Sequence, residues 1–165
     1  MSAAVPLLTV DGLAKSYGGV HAVREVSFTL AVGEILALIG PNGAGKSTCF
    51  DMLNGQRLPD RGRVHLLGRD ITGQPPRRVW RLGVGRTFQI TATFPTMTVR
   101  ENVQVALVSD AGRTFNLWRS TPDFRRDEAD RLLTLVGVED YAERPCGELA
   151  YGDLKRLELA IALAN

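Results

Sequence analysis

The residues from Gly40 to Thr48 have the types and the spacing needed to bind a phosphate chain. They read Gly-Pro-Asn-Gly-Ala-Gly-Lys-Ser-Thr, which matches the pattern Gly-x-x-x-x-Gly-Lys-Ser/Thr. In such a loop, small residues let several backbone N–H groups converge on phosphate oxygens. The start of the following helix adds its unpaired N–H groups and the positive end of its dipole. The pattern therefore predicts a site for a purine nucleoside triphosphate with Mg²⁺.

The side chains of this loop have separate expected roles. The ammonium group of Lys46 would lie along the β- and γ-phosphate oxygens, where it also serves as a catalytic group. The Ser47 hydroxyl would coordinate Mg²⁺, which keeps much of its water shell. Thr48 would donate to the α-phosphate. The nucleotide-binding residues predicted in the loop are Gly40, Pro41, Asn42, Gly43, Ala44, Gly45, Lys46, Ser47 and Thr48.

The segments on either side of the loop are expected to hold it in place. Glu34–Ile39 is a short apolar run that predicts a buried strand. Thr48–Gly55 predicts a short helix with Gly55 near its C-cap. Because strand, glycine loop and helix follow in this order, a glycine-rich turn that carries a lysine by chance is the weaker interpretation.

Short alternating segments before the loop predict an antiparallel β flap laid against a main sheet. Leu7–Val10 reads as a strand, and Val20–Leu30 alternates apolar and polar residues towards its end. Tyr17 lies just before the Gly18–Gly19 turn of this flap. Its ring could stack on an adenine, or it could be a half-buried strand tyrosine, and periodicity leaves both open.

Gln89 follows the strand-like segment Gly83–Phe88. Strand ends in nucleotide-binding folds face the ligand, so the amide of Gln89 could reach Mg²⁺ or an attacking water. A solvated loop glutamine is an equal alternative.

The second half of the chain has helical periodicity. Thr98–Glu101 is a capping box, Thr121–Pro122 begins a second helix that ends at Gly137, and a third helix begins near Gly152. The sequence thus predicts an α/β fold in two parts. Residues 1–95 form a nucleotide-binding core with the β flap, and residues 96–165 form a helical subdomain.

Composition excludes several classes of protein. The chain has 165 residues and a net charge of +2, which does not favour binding to nucleic acid or to an anionic membrane. Its apolar runs are far shorter than the about 20 residues of a membrane-spanning helix, and its N-terminus lacks the basic region of a secretory signal. Cys49 and Cys146 have no metal-site spacing and suit a reducing compartment.

A nucleotide-hydrolysing enzyme of this kind needs a further acid at the end of a buried strand. Val105–Asp110 is rejected because the capping box makes it helical, and Leu135–Asp140 is rejected because Gly137 ends a helix there. The sequence also stops inside an apolar helix. We therefore expect a fragment that ends before the acidic strand.

From Leu8 to Asn165 the chain resembles the ATP-binding subunit of an ATP-binding cassette (ABC) transporter, truncated before the strand that carries the acid. It is most similar to the branched-chain amino acid importer group. The resemblance is carried by Lys15–Gly19, Gly40–Thr48, Gly85–Gln89, Met97–Val103, Thr121–Arg126 and the signature Gly147–Ala160.

The resemblance implies ATP and Mg²⁺ as ligands. It implies that Tyr17 stacks on adenine and that Gln89 binds Mg²⁺, acts in catalysis and links the γ-phosphate to the permease. Ile90–Met97 would then face that permease. The residues expected to face the nucleotide of the opposite subunit are Ala150, Tyr151, Gly152 and Asp153. Ala150 replaces the common signature serine, and Leu154 replaces a glutamine.

The implied function is coupling of ATP binding and hydrolysis to uptake of branched-chain or related amino acids. The implied partners are a second cassette subunit, head to tail, and membrane permease subunits, with a periplasmic solute-binding protein engaged indirectly. The location would be the cytoplasmic face of the inner membrane. For this chain alone we expect nucleotide binding with little hydrolysis. The alternatives are a soluble cassette ATPase, a small-molecule kinase or GTPase, and a short isoform that only binds.

Overall fold

The computed structural model describes residues 5–87, 93–110 and 124–164. The chain divides into two compact units, Met1–Leu82 and Gly83–Asn165. This division lies 13 residues before the domain boundary expected at residue 95 (95 − 82 = 13), and the assignment of the two domains stays a prediction.

The first unit contains a four-stranded antiparallel sheet. Its strands are β1 (Leu8–Tyr17), β2 (Val20–Leu30), β3 (Arg61–Leu66) and β4 (Arg69–Asp70), in the order β2-β1-β3-β4. Val10 and Leu13 of β1 and Val64 of β3 are almost fully buried. Val10 and Leu13 are three positions apart, and the pairing of β1 with β2 has a register irregularity between them. The antiparallel strands predicted from the alternating sequence are therefore present.

Two helices complete the first unit. Helix α1 (Lys46–Leu53) follows the glycine loop directly and buries Cys49 and Met52. Helix α2 (Pro76–Trp80) is short and begins with a proline, which suits the first helical position because its missing N–H would be unbonded there.

The predicted strand at residues 34–39 is wrong, because this segment has no strand pairing in the structure. Ile35 is 96% exposed and Ile39 is 89% exposed. A strand apolar on both faces suits the middle of a parallel sheet and needs hydrogen-bonded neighbours, and no strand of the described residues lies beside it. Residues 84–87, also expected to be strand-like, have no strand assignment either.

The second unit is helical. Helices α3 (Val99–Asp110), α4 (Arg126–Val136) and α5 (Tyr151–Leu163) pack together, and short 3₁₀ turns occupy Glu139–Tyr141 and Cys146–Glu148. The expected start of the second helix at Thr121–Pro122 lies outside the described residues. The core consists of Val99, Val103, Leu107, Ala129, Leu133, Val138, Ala142, Cys146, Leu157, Ala160 and Ala164.

Helix α3 begins with the predicted capping box. The amide of Thr98 donates to Glu101 Oε2 at 2.7 Å, and the amide of Glu101 donates to Thr98 Oγ1 at 3.1 Å. Residues 105–110 are accordingly helical, so rejecting them as an acidic strand is confirmed. Gly137 caps helix α4 in the left-handed conformation, with φ 72°, as a C-terminal glycine often does.

None of the helices in the described part of the chain combines the length and the apolar character needed to cross a membrane.

Candidate functional site

The glycine loop before helix α1 has the backbone conformation that its glycines allow. Gly43 and Gly45 have φ values of 83° and 82°, in the left-handed region that glycine adopts without strain. A Cβ atom on Gly45 would lie 1.9 Å from the carbonyl oxygen of Ala22 in β2. Glycine is therefore needed at position 45 for two reasons: the left-handed turn into the helix, and the close approach of β2.

The ammonium group of Lys46 lies across the start of the loop. Its Nζ atom donates to the carbonyl oxygens of Gly40 and Pro41, at 2.7 Å each. These neutral acceptors are weaker partners for a cation than phosphate oxygens are. The donor set, an ammonium group beside a helix start and a glycine loop, is chemically suited to a phosphate chain.

The residues after Lys46 differ in exposure. Ser47 is exposed, so its hydroxyl is accessible to a metal ion, and Thr48 is half-buried. Cys49 is buried, and this burial raises the pKa of its thiol above the ordinary value. Cys49 thus packs behind the loop as a neutral side chain.

A cleft of about 380 Å³ opens between β2 and the glycine loop. Its size falls within the about 300–1,000 Å³ typical of small-molecule sites. Arg24 and Lys46 contribute positive charge to its lining, which suits an anionic ligand. The remaining lining residues are His21, Ala22, Val23, Val26, Leu38, Ile39, Gly43, Ala44, Gly45 and Cys49.

Tyr17 ends strand β1 and is 40% exposed. Lys15 Nζ lies 5.7 Å and Arg57 Cζ 5.6 Å from the centroid of its ring. Among the described residues, Tyr17 does not line the cleft beside the glycine loop. Its predicted role in adenine stacking stays a prediction.

Gln89 lies outside the described residues, so its predicted roles towards Mg²⁺ and the γ-phosphate stay predictions. Within the ranges that the structure describes, no group of three or more His, Cys, Asp or Glu side chains could hold a metal ion. Ser47 is the predicted metal ligand whose position is described.

The signature residues lie at the start of helix α5. Ala150 is the N-cap and makes no side-chain hydrogen bond, and Tyr151 is 71% exposed. Gly152 is exposed too, and the first helical bond runs from Leu154 N to Ala150 O at 2.9 Å. Asp153 Oδ1 accepts from Arg156 at 3.5 Å. The N–H groups of the first turn therefore lack intrahelical acceptors, a feature that favours anions.

The model of the ABC transporter family matches residues 23–165 of this chain. The chain belongs to the ABC transporter family. Its α/β fold class is thereby confirmed, since ABC cassettes are also its structural neighbours. The phosphate-binding loop and the signature, described above in separate units, both fall within the matched residues.

Named members of the ABC family are similar to this chain over most of its length. The high-affinity branched-chain amino acid transport ATP-binding protein LivG is 43% identical in Salmonella typhimurium and 41% identical in Escherichia coli, each over 162 residues. BraF of Pseudomonas aeruginosa, described in the same words, is 39% identical over 163 residues. In each case the match covers 94% of this chain and 64% of the relative, so the chain spans less than two thirds of these relatives.

Solved ABC cassettes have the same fold. The ADP conformation of MJ1267, an ATP-binding cassette of an ABC transporter, aligns with a TM-score of 0.84 at 30% identity. A nucleotide-free cassette aligns with a TM-score of 0.83 at 29% identity. Each alignment covers 96% of this chain and 65% of the solved chain.

Asn102 is a residue of this ABC chain that sequence reasoning missed. It is 3% exposed, and its Nδ2 atom donates to the carbonyl oxygens of Phe94, Met97 and Thr98 at 3.2, 3.4 and 2.9 Å. Its Oδ1 atom accepts from Phe94 N at 2.8 Å. The available signal was an asparagine three residues after Val99, on the apolar face of a helix.

Proposed function

We propose that this chain binds ATP with Mg²⁺ through Gly40–Thr48. The observation that carries the proposal is the position of Lys46, whose ammonium group has two loop carbonyl oxygens as acceptors beside the start of helix α1. Phosphate oxygens are stronger acceptors for this cation. Nucleotide binding would therefore turn Lys46 from its own loop towards the β- and γ-phosphates.

The remaining groups of the site would complete nucleotide binding. The Ser47 hydroxyl would ligate Mg²⁺, and Thr48 would donate to the α-phosphate. Tyr17 would stack on adenine, and Gln89 would approach Mg²⁺ and the γ-phosphate. Bound Mg²⁺ supplies charge neutralisation along the phosphate chain, whereas the protein supplies orientation and N–H donors.

The signature is proposed to bind the nucleotide of a second cassette subunit. Ala150 and Gly152 lie at the exposed start of helix α5, where N–H groups lack intrahelical acceptors. A second subunit arranged head to tail would bring a γ-phosphate to this helix start. Tyr151 and Asp153 would line the same contact.

The larger process is proposed to be ATP-driven uptake of branched-chain or related amino acids. This rests on the similarity to LivG and BraF, whose names describe branched-chain amino acid transport. In that role, residues 90–97 would contact permease subunits at the cytoplasmic face of the inner membrane. A periplasmic solute-binding protein would act indirectly, and nucleic acid would not be a partner.

Hydrolysis depends on an acidic group in addition to Lys46. The two acidic candidates considered in the sequence do not end strands in the structure, since residues 105–110 are helical and Gly137 caps a helix. We therefore expect this 165-residue chain to bind ATP but to hydrolyse it very slowly.

The binding proposal is tested by titrating the chain with ATP and Mg²⁺ by calorimetry. Lys46→Ala should abolish binding, whereas Arg63→Ala should bind as the parent does. Arg63 is a matched control because it also carries one positive charge, is 69% exposed and pairs with Asp70 at 3.3 Å. Unchanged ATP affinity in Lys46→Ala would contradict the assignment.

A further inference from the structure

We propose that Arg57 is a positioning residue that holds the Tyr17 ring at a fixed place relative to the phosphate-binding loop, so that adenine stacks on the opposite face of that ring. This inference rests on the proposed nucleotide function. It extends that function by naming a residue that supports binding of the base and is separate from the phosphate site.

Arg57 is joined to the helix that follows the phosphate-binding loop. Its Nε atom donates to Asp51 Oδ2 at 3.2 Å, and its backbone N–H donates to the carbonyl oxygen of Asp51 at 3.0 Å. The side chain of Asp51 is 19% exposed, and this residue lies in helix α1, which starts at Lys46. Arg57 therefore keeps its place with respect to the helix that carries the phosphate-binding lysine.

The guanidinium group of Arg57 also packs against Tyr17. Its Cζ atom is 5.6 Å from the ring centroid, within the about 6 Å range of cation–π contacts. A planar guanidinium can stack on an aromatic ring in a way that the ammonium group of lysine cannot. Lys15 Nζ also lies 5.7 Å from this centroid. Since Tyr17 stays 40% exposed, part of its ring is accessible to a ligand while both cations lie against it.

The loop that carries Arg57 is fastened to the end of strand β1 a second time. Asp60 Oδ1 accepts from Lys15 Nζ at 2.6 Å, and Asp60 Oδ2 accepts from the amide of Ser16 at 2.7 Å. The amide of Asp60 donates to the carbonyl oxygen of Ala14 at 2.9 Å. The three residues immediately before Tyr17 thus hold the loop after helix α1 against the end of β1.

This arrangement separates two tasks. Lys46 and the glycine loop are suited to the phosphates, whereas Arg57 contacts the ring and the helix without any bond to that loop in the described structure. Loss of Arg57 should therefore weaken binding of a ligand that carries a base and leave binding of a bare triphosphate unchanged.

The experiment compares ATP with inorganic tripolyphosphate, each with Mg²⁺, by calorimetry on the full chain. Arg57→Gln should lower ATP affinity about two- to fivefold, as expected for an exposed cation–π contact. Tyr17→Ala should lower it by roughly 5- to 150-fold, as expected for loss of base stacking. Both variants should bind tripolyphosphate as the parent does. Arg57→Lys should restore part of the ATP affinity. The control variant Arg63→Gln should bind both ligands with the affinity of the parent.

Three results would overturn the inference. Higher ATP affinity in Arg57→Gln would mean that the cation occupies the face that adenine needs. Equal losses for ATP and tripolyphosphate would mean that Arg57 only maintains the loop. Unchanged affinity for both ligands would mean that Arg57 does not support the ring. Lys46→Ala separates this inference from the proposed function, because its binding of tripolyphosphate must be lost if the phosphate site is right.

Discussion

The amide of Gly147 donates a hydrogen bond to the carbonyl oxygen of Pro95, with an N···O distance of 3.0 Å. Nearby, the amide of Cys146 donates to Met97 O at 2.9 Å, and Thr98 forms an isolated β-bridge with Pro145. The segment before helix α3 and the segment before the signature are therefore joined through their backbones. Because the first is proposed to face the permease and the second a neighbouring nucleotide, these backbone hydrogen bonds link the two proposed contact surfaces directly.

Asn102 should be a major source of stability for this connection. Asn102→Ala removes the side-chain acceptor of the Phe94 amide and three bonds to the carbonyl oxygens of Phe94, Met97 and Thr98. Those three carbonyl oxygens keep a backbone donor each, so the Phe94 amide is the group that loses its partner. Loss of these hydrogen bonds should lower the free energy of unfolding by about 1–3 kcal/mol. Urea denaturation followed by circular dichroism measures the change.

The control for that measurement is Thr134→Ala. Thr134 is an exposed residue in helix α4, so its replacement should change the free energy of unfolding by less than about 0.5 kcal/mol. A loss in Asn102→Ala no larger than this would show that the four hydrogen bonds do not hold the loop.

Gly45→Ala should damage the phosphate-binding loop more than Gly43→Ala does. Both glycines have φ near 82°, but a Cβ atom on Gly45 would lie 1.9 Å from Ala22 O, whereas one on Gly43 would have nothing within 4 Å. Gly43→Ala therefore meets only left-handed strain, about 1–2 kcal/mol. Gly45→Ala must in addition displace β2 or the start of helix α1.

Thermal unfolding and ATP titration of the two variants check this difference. In Gly45→Ala we expect a lower midpoint temperature of unfolding and loss of ATP binding. In Gly43→Ala we expect a smaller decrease in that temperature. Equal behaviour of the two variants would mean that the approach of Ala22 does not constrain the loop.

Cys49 should react slowly with thiol reagents in the folded protein. Burial raises the pKa of its thiol, so the reactive thiolate is scarce at neutral pH, and the side chain is 3% exposed. Alkylation with iodoacetamide, read by peptide mass spectrometry in a Cys146→Ser background, should become much faster in urea. Rapid, complete labelling without denaturant would contradict the packing of Cys49 behind the loop.

Asp60 should make stability depend on pH in acid. The hydrogen bond from Lys15, followed by the amide of Ser16, lowers the pKa of the Asp60 carboxyl below its ordinary value. A carboxylate with a lowered folded-state pKa stabilises the fold above its unfolded-state pKa, and this contribution is lost as the pH falls through the folded-state pKa. The stability advantage of the parent over Asp60→Asn should thus be present at neutral pH and should vanish in strong acid.

Urea denaturation of the parent and of Asp60→Asn at a series of pH values measures that advantage. The difference should begin to shrink as the pH falls past about 3.9, the ordinary value for aspartate. A difference that stays constant throughout the acid range would show that Asp60 is not held in its charged form by Lys15 and Ser16.

Features that depend on a few consecutive residues were predictable from the sequence. The capping box at Thr98–Glu101, the glycine cap at Gly137 and the loop turning into helix α1 appear in the structure as the residue types require. Each of these depends on contacts within one turn of the chain, so residue type and spacing suffice to predict it.

Contacts between distant residues, in contrast, depend on how whole elements pack. The segment 34–39 has the apolar sequence of a strand but lacks strand pairing, because a strand requires a hydrogen-bonded neighbour that its own residues cannot supply. The bond between Gly147 and Pro95 and the contact of Arg57 with Tyr17 join residues tens of positions apart. Such pairs are fixed by packing of whole elements, and sequence spacing carries no direct sign of them.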